Sequence, residues 1–128
     1  MAKKVLIVED ERDIQEVERM VVEELLGCDV VVASSGEEAL DKAAETSPDL
    51  VVLDLMLPDI DGFTVASRLR AEPKLNRVPI LALSGLTRSE DLERAQAAGC
   101  NDVLPKPFDL EELVKKIEGL VGSCTRAG

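Results

Sequence analysis

Histidine, tryptophan and tyrosine are absent, and phenylalanine occurs only as Phe63 and Phe108. Without histidine, Ser-His-Asp triads, His-based zinc sites and imidazole acid–base catalysis are excluded. With two aromatic rings there is no platform on which bases could stack. Basic residues are outnumbered, 15 Lys and Arg against 26 Asp and Glu, for a formal charge of −11. Such a surface repels nucleic acid and anionic lipid over most of its area, so no direct nucleic-acid partner is expected. No apolar run approaches the length of a membrane span, and the N-terminus has no secretory core, so no membrane partner is expected. Cys28, Cys100 and Cys124 are odd in number and show no CxxC spacing. They read as reduced thiols of a cytoplasmic protein. Any chemistry must rest on carboxylates, hydroxyls, Lys and Arg.

What is present is a chain of 128 residues, 45% apolar and 32% charged, which is one soluble globular domain with a sizeable core. Its texture alternates. Apolar, β-branched runs at Val5-Leu6-Ile7-Val8, Val30-Val31-Val32, Leu50-Val51-Val52-Leu53, Ile80-Leu81-Ala82-Leu83 and Val103-Leu104 read as strands, four of them covered on both faces. Helical stripes lie between them: Ile14, Val17, Val21 and Leu25; Ala39, Leu40, Ala43 and Ala44; Val65, Ala66 and Leu69; Leu92, Ala95 and Ala98; Leu110, Leu113, Val114, Ile117 and Val121. Ser35 with Glu38, Thr87 with Glu90 and Asp109 with Glu112 have capping-box spacing. Gly27 and Gly99 stand where helices should stop. The order is βα five times over, an α/β doubly wound parallel sheet with helices on both faces. The expected boundaries are a domain over residues 1–121 and a flexible C-terminal tail over 122–128.

Ligands of such sheets bind beyond the carboxyl ends of the strands. Strand 1 ends in Glu9-Asp10, strand 3 in Asp54, strand 4 in Ser84 and strand 5 in Lys106. Converging carboxylates repel one another, and a hard divalent cation relieves the repulsion. Asp10 and Asp54 are the expected direct ligands of Mg²⁺, with Glu9 acting through water. Asp54 is the expected nucleophile towards phosphorus, assisted by the Lys106 ammonium and the Ser84 hydroxyl. Other acids have plainer readings. Asp59 and Asp61 read as turn residues before Gly62, and Glu11 and Asp13 as favouring the start of helix 1. The stretch Arg88–Arg94 reads as a solvated helix face, and Cys100 as a small buried filler.

These segments carry a resemblance. Val5-Leu6-Ile7-Val8-Glu9-Asp10-Glu11, Asp49 through Pro58, Asp61-Gly62, Leu83-Ser84-Gly85, Ala98 through Asp102 and Lys106-Pro107-Phe108, in that order, resemble the receiver domain of two-component response regulators across residues 3–121. The resemblance implies a flavodoxin-like fold with strand order 2-1-3-4-5 and a cis Lys106-Pro107 bond. It implies phosphorylation of Asp54 by a sensor histidine kinase or phosphotransfer protein. It also implies Mg²⁺ held by Glu9, Asp10, Asp54 and the backbone carbonyl of Met56, with Ser84 and Lys106 reading the phosphoryl group. An unidentified downstream protein would then respond, with helix 1 serving the kinase and the face of helix 4, strand 5 and helix 5 serving output.

One position departs from the pattern. The usual aromatic three residues before the active-site lysine is Val103, so a switch must run through Ser84 and the Gly85-Leu86 loop. Met56 and Leu86, which flank the route of hydrolytic water, are apolar, so slow loss of the phosphoryl group is expected. The resulting reading is a phosphorylation-dependent signalling switch, not a turnover enzyme. The alternatives are a pseudo-receiver that binds partners without phosphorylation and a receiver excised from a larger regulator or hybrid kinase. A Mg²⁺-dependent Asp-nucleophile phosphatase is disfavoured, since Met56 stands where its general acid would be. The starting Met and short tail point to a stand-alone protein.

Overall fold

The computed structural model describes residues 3–85 and 88–122. Five parallel strands, β1 (Lys4–Val8), β2 (Asp29–Ala33), β3 (Leu50–Asp54), β4 (Ile80–Ser84) and β5 (Asp102–Pro105), lie in the order β2-β1-β3-β4-β5. Five helices alternate with them: α1 (Arg12–Met20), α2 (Gly36–Thr46), α3 (Gly62–Ala71), α4 (Ser89–Ala98) and α5 (Leu110–Val121). Side chains of successive strand residues leave opposite faces, so each strand feeds two cores. Leu6, Val8, Val51, Leu53, Ile80 and Ala82 pack with Ala39, Ala43, Val65, Leu69 and Ala95 of α2, α3 and α4. Val5, Ile7, Leu50, Val52, Leu81 and Leu83 pack with Val21 and Val22 and with Leu113, Ile117 and Val121 of α5. This two-sided burial is the reason the strands read as unbroken apolar runs.

The helix signals hold with two differences. Asp109 and Glu112 form a complete capping box on α5, and the Ser35 hydroxyl accepts from the Glu38 amide at 3.2 Å. Thr87 lies outside the described residues, and Arg88 occupies the N-cap of α4 without a side-chain cap. The apolar stripe of α1 is not the one the spacing predicts. Val17 is 43% and Leu25 61% exposed, whereas Glu18, Val21, Val22 and Leu26 are buried. For the burial of Leu26 in place of Leu25 the cause is a π-helical turn, Val21–Leu25, that continues α1, with the Leu26 amide donating to the Val21 carbonyl at 3.1 Å. Such a turn inserts one surplus residue and shifts the helix face beyond it.

Gly99 ends α4 at φ 107°, and a Cβ there would stand 2.5 Å from Arg70 Cγ. Arg70 clamps the ends of α3 and α4 together. Its guanidinium donates to the carbonyls of Gly99 and Val78 at 2.7 and 2.6 Å and to Asn101 Oδ1 at 2.8 Å. Asp59 is more than a turn residue: its carboxylate accepts from the amides of Gly36 and Glu37 at 2.8 and 3.0 Å, fastening the loop after β3 to the start of α2. Asp61 caps α3 through the Thr64 amide at 2.9 Å. Cys100 is the free thiol among the described residues and is buried. Cys28 is disulfide-bonded, which corrects its reading as a reduced thiol; an odd cysteine count forbids pairing all of them, not pairing any. α5 ends at Val121, and 123–128 of the expected tail lie outside the described residues.

Candidate functional site

The strand register puts the polar residues together. Val8 pairs with Leu53, Asp54 with Leu83 and Ser84 with Pro105. Glu9, Asp54, Ser84 and Lys106 therefore all stand at, or one residue beyond, the last paired position of adjacent strands. Each is carried by a backbone whose hydrogen bonds are fixed. The Glu9 amide donates to the Ala33 carbonyl at 3.0 Å, and the Lys106 amide to the Ser84 carbonyl at 2.7 Å.

Glu9, Asp10 and Asp54 each offer an oxygen within 4.8 Å of the other two. Glu9 and Asp54 are buried, while Asp10 is exposed. Lys106 Nζ lies 3.2 Å from Asp54 Oδ2 and 3.4 Å from Glu9 Oε1. Asp54 Oδ1 accepts from the Met56 amide at 2.9 Å, and Glu9 Oε2 from the Glu11 amide at 3.1 Å. Met56 itself is 62% exposed. Ser84 is buried at the same edge. Lys106-Pro107 is cis, as the resemblance implies. Behind Asp54, α3 begins in close approach: a Cβ on Gly62 would meet Leu55 Cα at 2.5 Å and the Asp54 carbonyl oxygen at 2.8 Å.

The electrostatics are those of a crowded acid cluster. Burial first, then the neighbouring Asp54 carboxylate, raise Glu9 to about 7 against the pull of the Glu11 amide and Lys106. Burial opposes the Lys106 ammonium, but Asp54 and Glu9 outweigh it and raise its pKa. One ammonium thus faces two buried carboxylates, with a third carboxylate beside them. That donor set of hard oxygens fits an ion such as Mg²⁺, which takes one or two carboxylates and keeps several waters.

Sequence reasoning missed Glu18. It projects from α1 into the core at 1% exposure, and neither carboxylate oxygen has a hydrogen-bond partner among the described residues. Burial, reinforced by Glu9 and Asp54 and opposed by Lys106, raises it to about 9. The apolar stripe of α1 gives no sign of it. Beside the site, a groove of about 540 Å³ lies between α1 and the β5–α5 loop. It is lined by Asp13, Ile14, Val17, Lys106, Phe108 and Leu110.

The family model for the response regulator receiver domain matches residues 5–118. The chain belongs to this family, the receiver domains of two-component response regulators. Among curated relatives it is 32% identical to the polar-differentiation response regulator DivK of Brucella ovis, over 97% of this chain and 100% of that protein. It is 36% identical to the DNA-binding dual master transcriptional regulator RpaA of Synechocystis sp., over 96% of this chain and 51% of that one. The chain thus spans about half the length of RpaA. The solved chemotaxis protein CheY4 of Vibrio cholerae superposes with a TM-score of 0.89 at 30% identity, covering 94% of this chain and 99% of that one. The receiver domain of the sensor histidine kinase PA1611 from Pseudomonas aeruginosa, with a magnesium ion coordinated in its active-site cleft, superposes with a TM-score of 0.86 at 32% identity, over 96% and 100% of the two chains. No helix among the described residues is long and apolar enough to cross a membrane.

Proposed function

We propose that this receiver domain is a phosphorylation-dependent switch in which Asp54 accepts a phosphoryl group from a phosphohistidine on a sensor histidine kinase or phosphotransfer protein. The observation that carries the proposal is the approach of Lys106 to within 3.2 Å of Asp54 beside a cluster of three carboxylates. Glu9, Asp10, Asp54 and the Met56 carbonyl would hold Mg²⁺. When bound, the cation supplies neutralisation of charge on the transferring phosphoryl oxygens.

The Asp54 carboxylate forms the new O–P bond as the P–N bond of a ring-protonated phosphohistidine breaks; the bonding pair stays on that nitrogen, and the imidazole leaves neutral, keeping the proton already on its other nitrogen. The Met56 amide holds one Asp54 oxygen, so the carboxylate is oriented before the donor arrives. Lys106 turns from carboxylate pairing to the new phosphoryl oxygens, and the Ser84 hydroxyl donates to another. Phosphorylation adds about −1.5 to −2 charges at this edge. That charge redistributes the contacts of Lys106 and Ser84 and alters the surface that a downstream protein reads. The exposed apolar side chains of Val17 and Leu110 beside the site favour the α1 side as the donor's docking face. The domain assists its own phosphorylation and dephosphorylation but turns over no separate substrate. Residues 1–121 as the functional unit and a cytoplasmic location belong to the same proposal.

Intact-mass spectrometry after incubation with Mg²⁺ and acetyl phosphate tests it. A single phosphoryl adduct, lost on removal of Mg²⁺ and in Asp54→Asn, is the expected result. A chain that stays unmodified, or an adduct that persists in Asp54→Asn, overturns the assignment.

A further inference from the structure

A second groove, of about 450 Å³, lies between α3 and α4, on the face of the sheet opposite α1 and α5. Its walls are Phe63, Thr64, Ser67 and Arg68 of α3 and Arg94 of α4, and small alanines, Ala97 among them, line the rest. No carboxylate lines it, in a chain with 26 acidic residues and a net charge of −11. The Arg94 guanidinium carbon stands 4.1 Å from the centroid of the Phe63 ring. The ring face attracts the cation.

Arg94 makes no hydrogen bond or ion pair among the described residues. The acids near it are otherwise engaged or out of reach. Asp61, which acts on Arg94 at longer range, accepts from the Thr64 amide and hydroxyl at 2.9 and 3.0 Å. Glu90, one turn earlier on α4, forms no ion pair with it. Arg68 has a carboxylate, that of Glu37, only at 3.9 Å, with both side chains more than half exposed, and such a pair contributes little. Arg94 is solvent-exposed, as the reading of Arg88–Arg94 as a solvated face expects, and its guanidinium also stands over Phe63 at the groove.

We infer that the α3–α4 groove docks a carboxylate-bearing segment of a partner protein, with its acidic side chains on Arg94 and Arg68 and a small apolar side chain against Phe63 and the alanines. Charge complementarity selects this occupant. Arg94 stands over the Phe63 ring with its fork of donors unused among the described residues, so a carboxylate meets a cation whose hydrogen bonds are still to be made. The surrounding acidic surface repels an acidic segment at other places, which makes the groove the position that sets its register.

Fluorescence anisotropy with a labelled twelve-residue peptide of alternating Glu, Ala and Leu, and with its Lys-for-Glu counterpart, provides the test. The expected result is saturable binding of the Glu peptide at low salt, at least tenfold weaker for Arg94→Glu and for Arg68→Glu, and no binding of the Lys peptide. Arg94→Lys keeps the charge without the planar fork and is expected to bind with intermediate strength. Amide NMR shifts should concentrate on α3 and α4. Failure of the Glu peptide to bind, or unchanged affinity in Arg94→Glu with an unaltered melting curve, overturns the inference. So does full displacement by millimolar inorganic phosphate, which would mark a small-anion site, or self-association lost in Arg94→Glu, which would mark a second copy as the occupant.

Discussion

Lys106 Nζ and Asp54 Oδ2 are 3.2 Å apart, although 52 residues separate them in the chain. The ammonium shares its charge with Glu9 Oε1 at 3.4 Å, so it is the counter-ion of an acid cluster larger than itself. A bound divalent cation would compete with it for the same oxygens. Lys106→Met is therefore expected to bind Mg²⁺ several-fold more tightly than the unaltered chain while losing the ability to retain a phosphoryl group. Isothermal titration checks the first half and intact mass the second. Weaker Mg²⁺ binding in the variant would contradict the competition.

Glu9, raised to about 7, has to shed its proton before it can serve a cation. Mg²⁺ affinity is expected to rise by up to tenfold per pH unit below about 7 and to level off above it. In Glu9→Gln the same titrations should be weaker overall and flat between pH 6 and 8. A slope unchanged by that substitution would assign the proton elsewhere.

Glu18 sets the alkaline side of stability. Its carboxyl moves from 4.5 to about 9 on folding. Below 4.5 it is protonated folded or unfolded and has no effect. Between the two values only the unfolded chain releases the proton, so stability falls as pH rises. Glu9 contributes in the same direction up to about 7, leaving Glu18 to act between about 7 and 9. Glu18→Leu is expected to add on the order of 1–4 kcal/mol at pH 8 and to flatten the decline from 7 to 9. Urea unfolding at several pH values measures both.

Two glycines should respond oppositely to alanine. Gly62→Ala drives a Cβ into the backbone of Asp54 and Leu55, where nothing can yield without moving the end of β3. A loss of several kcal/mol is expected, on the scale of other severe steric substitutions. Gly119 lies in α5 with nothing within 4 Å of an added Cβ, and Gly119→Ala should stabilise by about 0.5–1 kcal/mol. Thermal melts of the two variants decide it.

Met56, whose amide binds Asp54, is exposed and has no polar side-chain group to orient water. Slow loss of the phosphoryl group is expected, and faster loss in Met56→Asn. Time-resolved mass spectrometry after removing acetyl phosphate tracks it, and decay complete within seconds would remove Met56 from the explanation. Leu86, the other residue flanking that route, lies outside the described residues.

The strands and the acid edge were legible because both obey local rules. A strand buried on two faces must be apolar throughout, and a doubly wound sheet delivers the residue after each strand to one shared edge. The end of the α1 stripe was illegible because a fixed 3.6-residue period assumes a uniform helix and the surplus residue at Val21–Leu25 moves Leu26 into the core instead of Leu25. Glu18, ahead of that turn, was illegible because an apolar stripe gives no sign that a carboxylate is buried beside it. Asp59 and Arg70 were illegible for a different reason. Their partners, the start of α2 and the Gly99 turn, lie 22 to 29 residues away in sequence, and nothing local announces a tether of that span. Val103 gives a third kind of result: the aromatic expected before Lys106 is missing, and the ion pair of Lys116 with Asp102 at 2.8 Å ties α5 to β5 beside it.

The widened turn at Val21–Leu25 shows where this architecture tolerates drift. An added residue there is absorbed by one loose loop of helix, and β2 still enters the sheet opposite β1 in step, Lys4 against Asp29. The same addition inside β1 or β3 would turn every later side chain to the other face and carry Glu9 or Asp54 out of the cluster. Length can thus wander in the coils that wrap this molecule, whereas the five rods at its centre are held to an integer count.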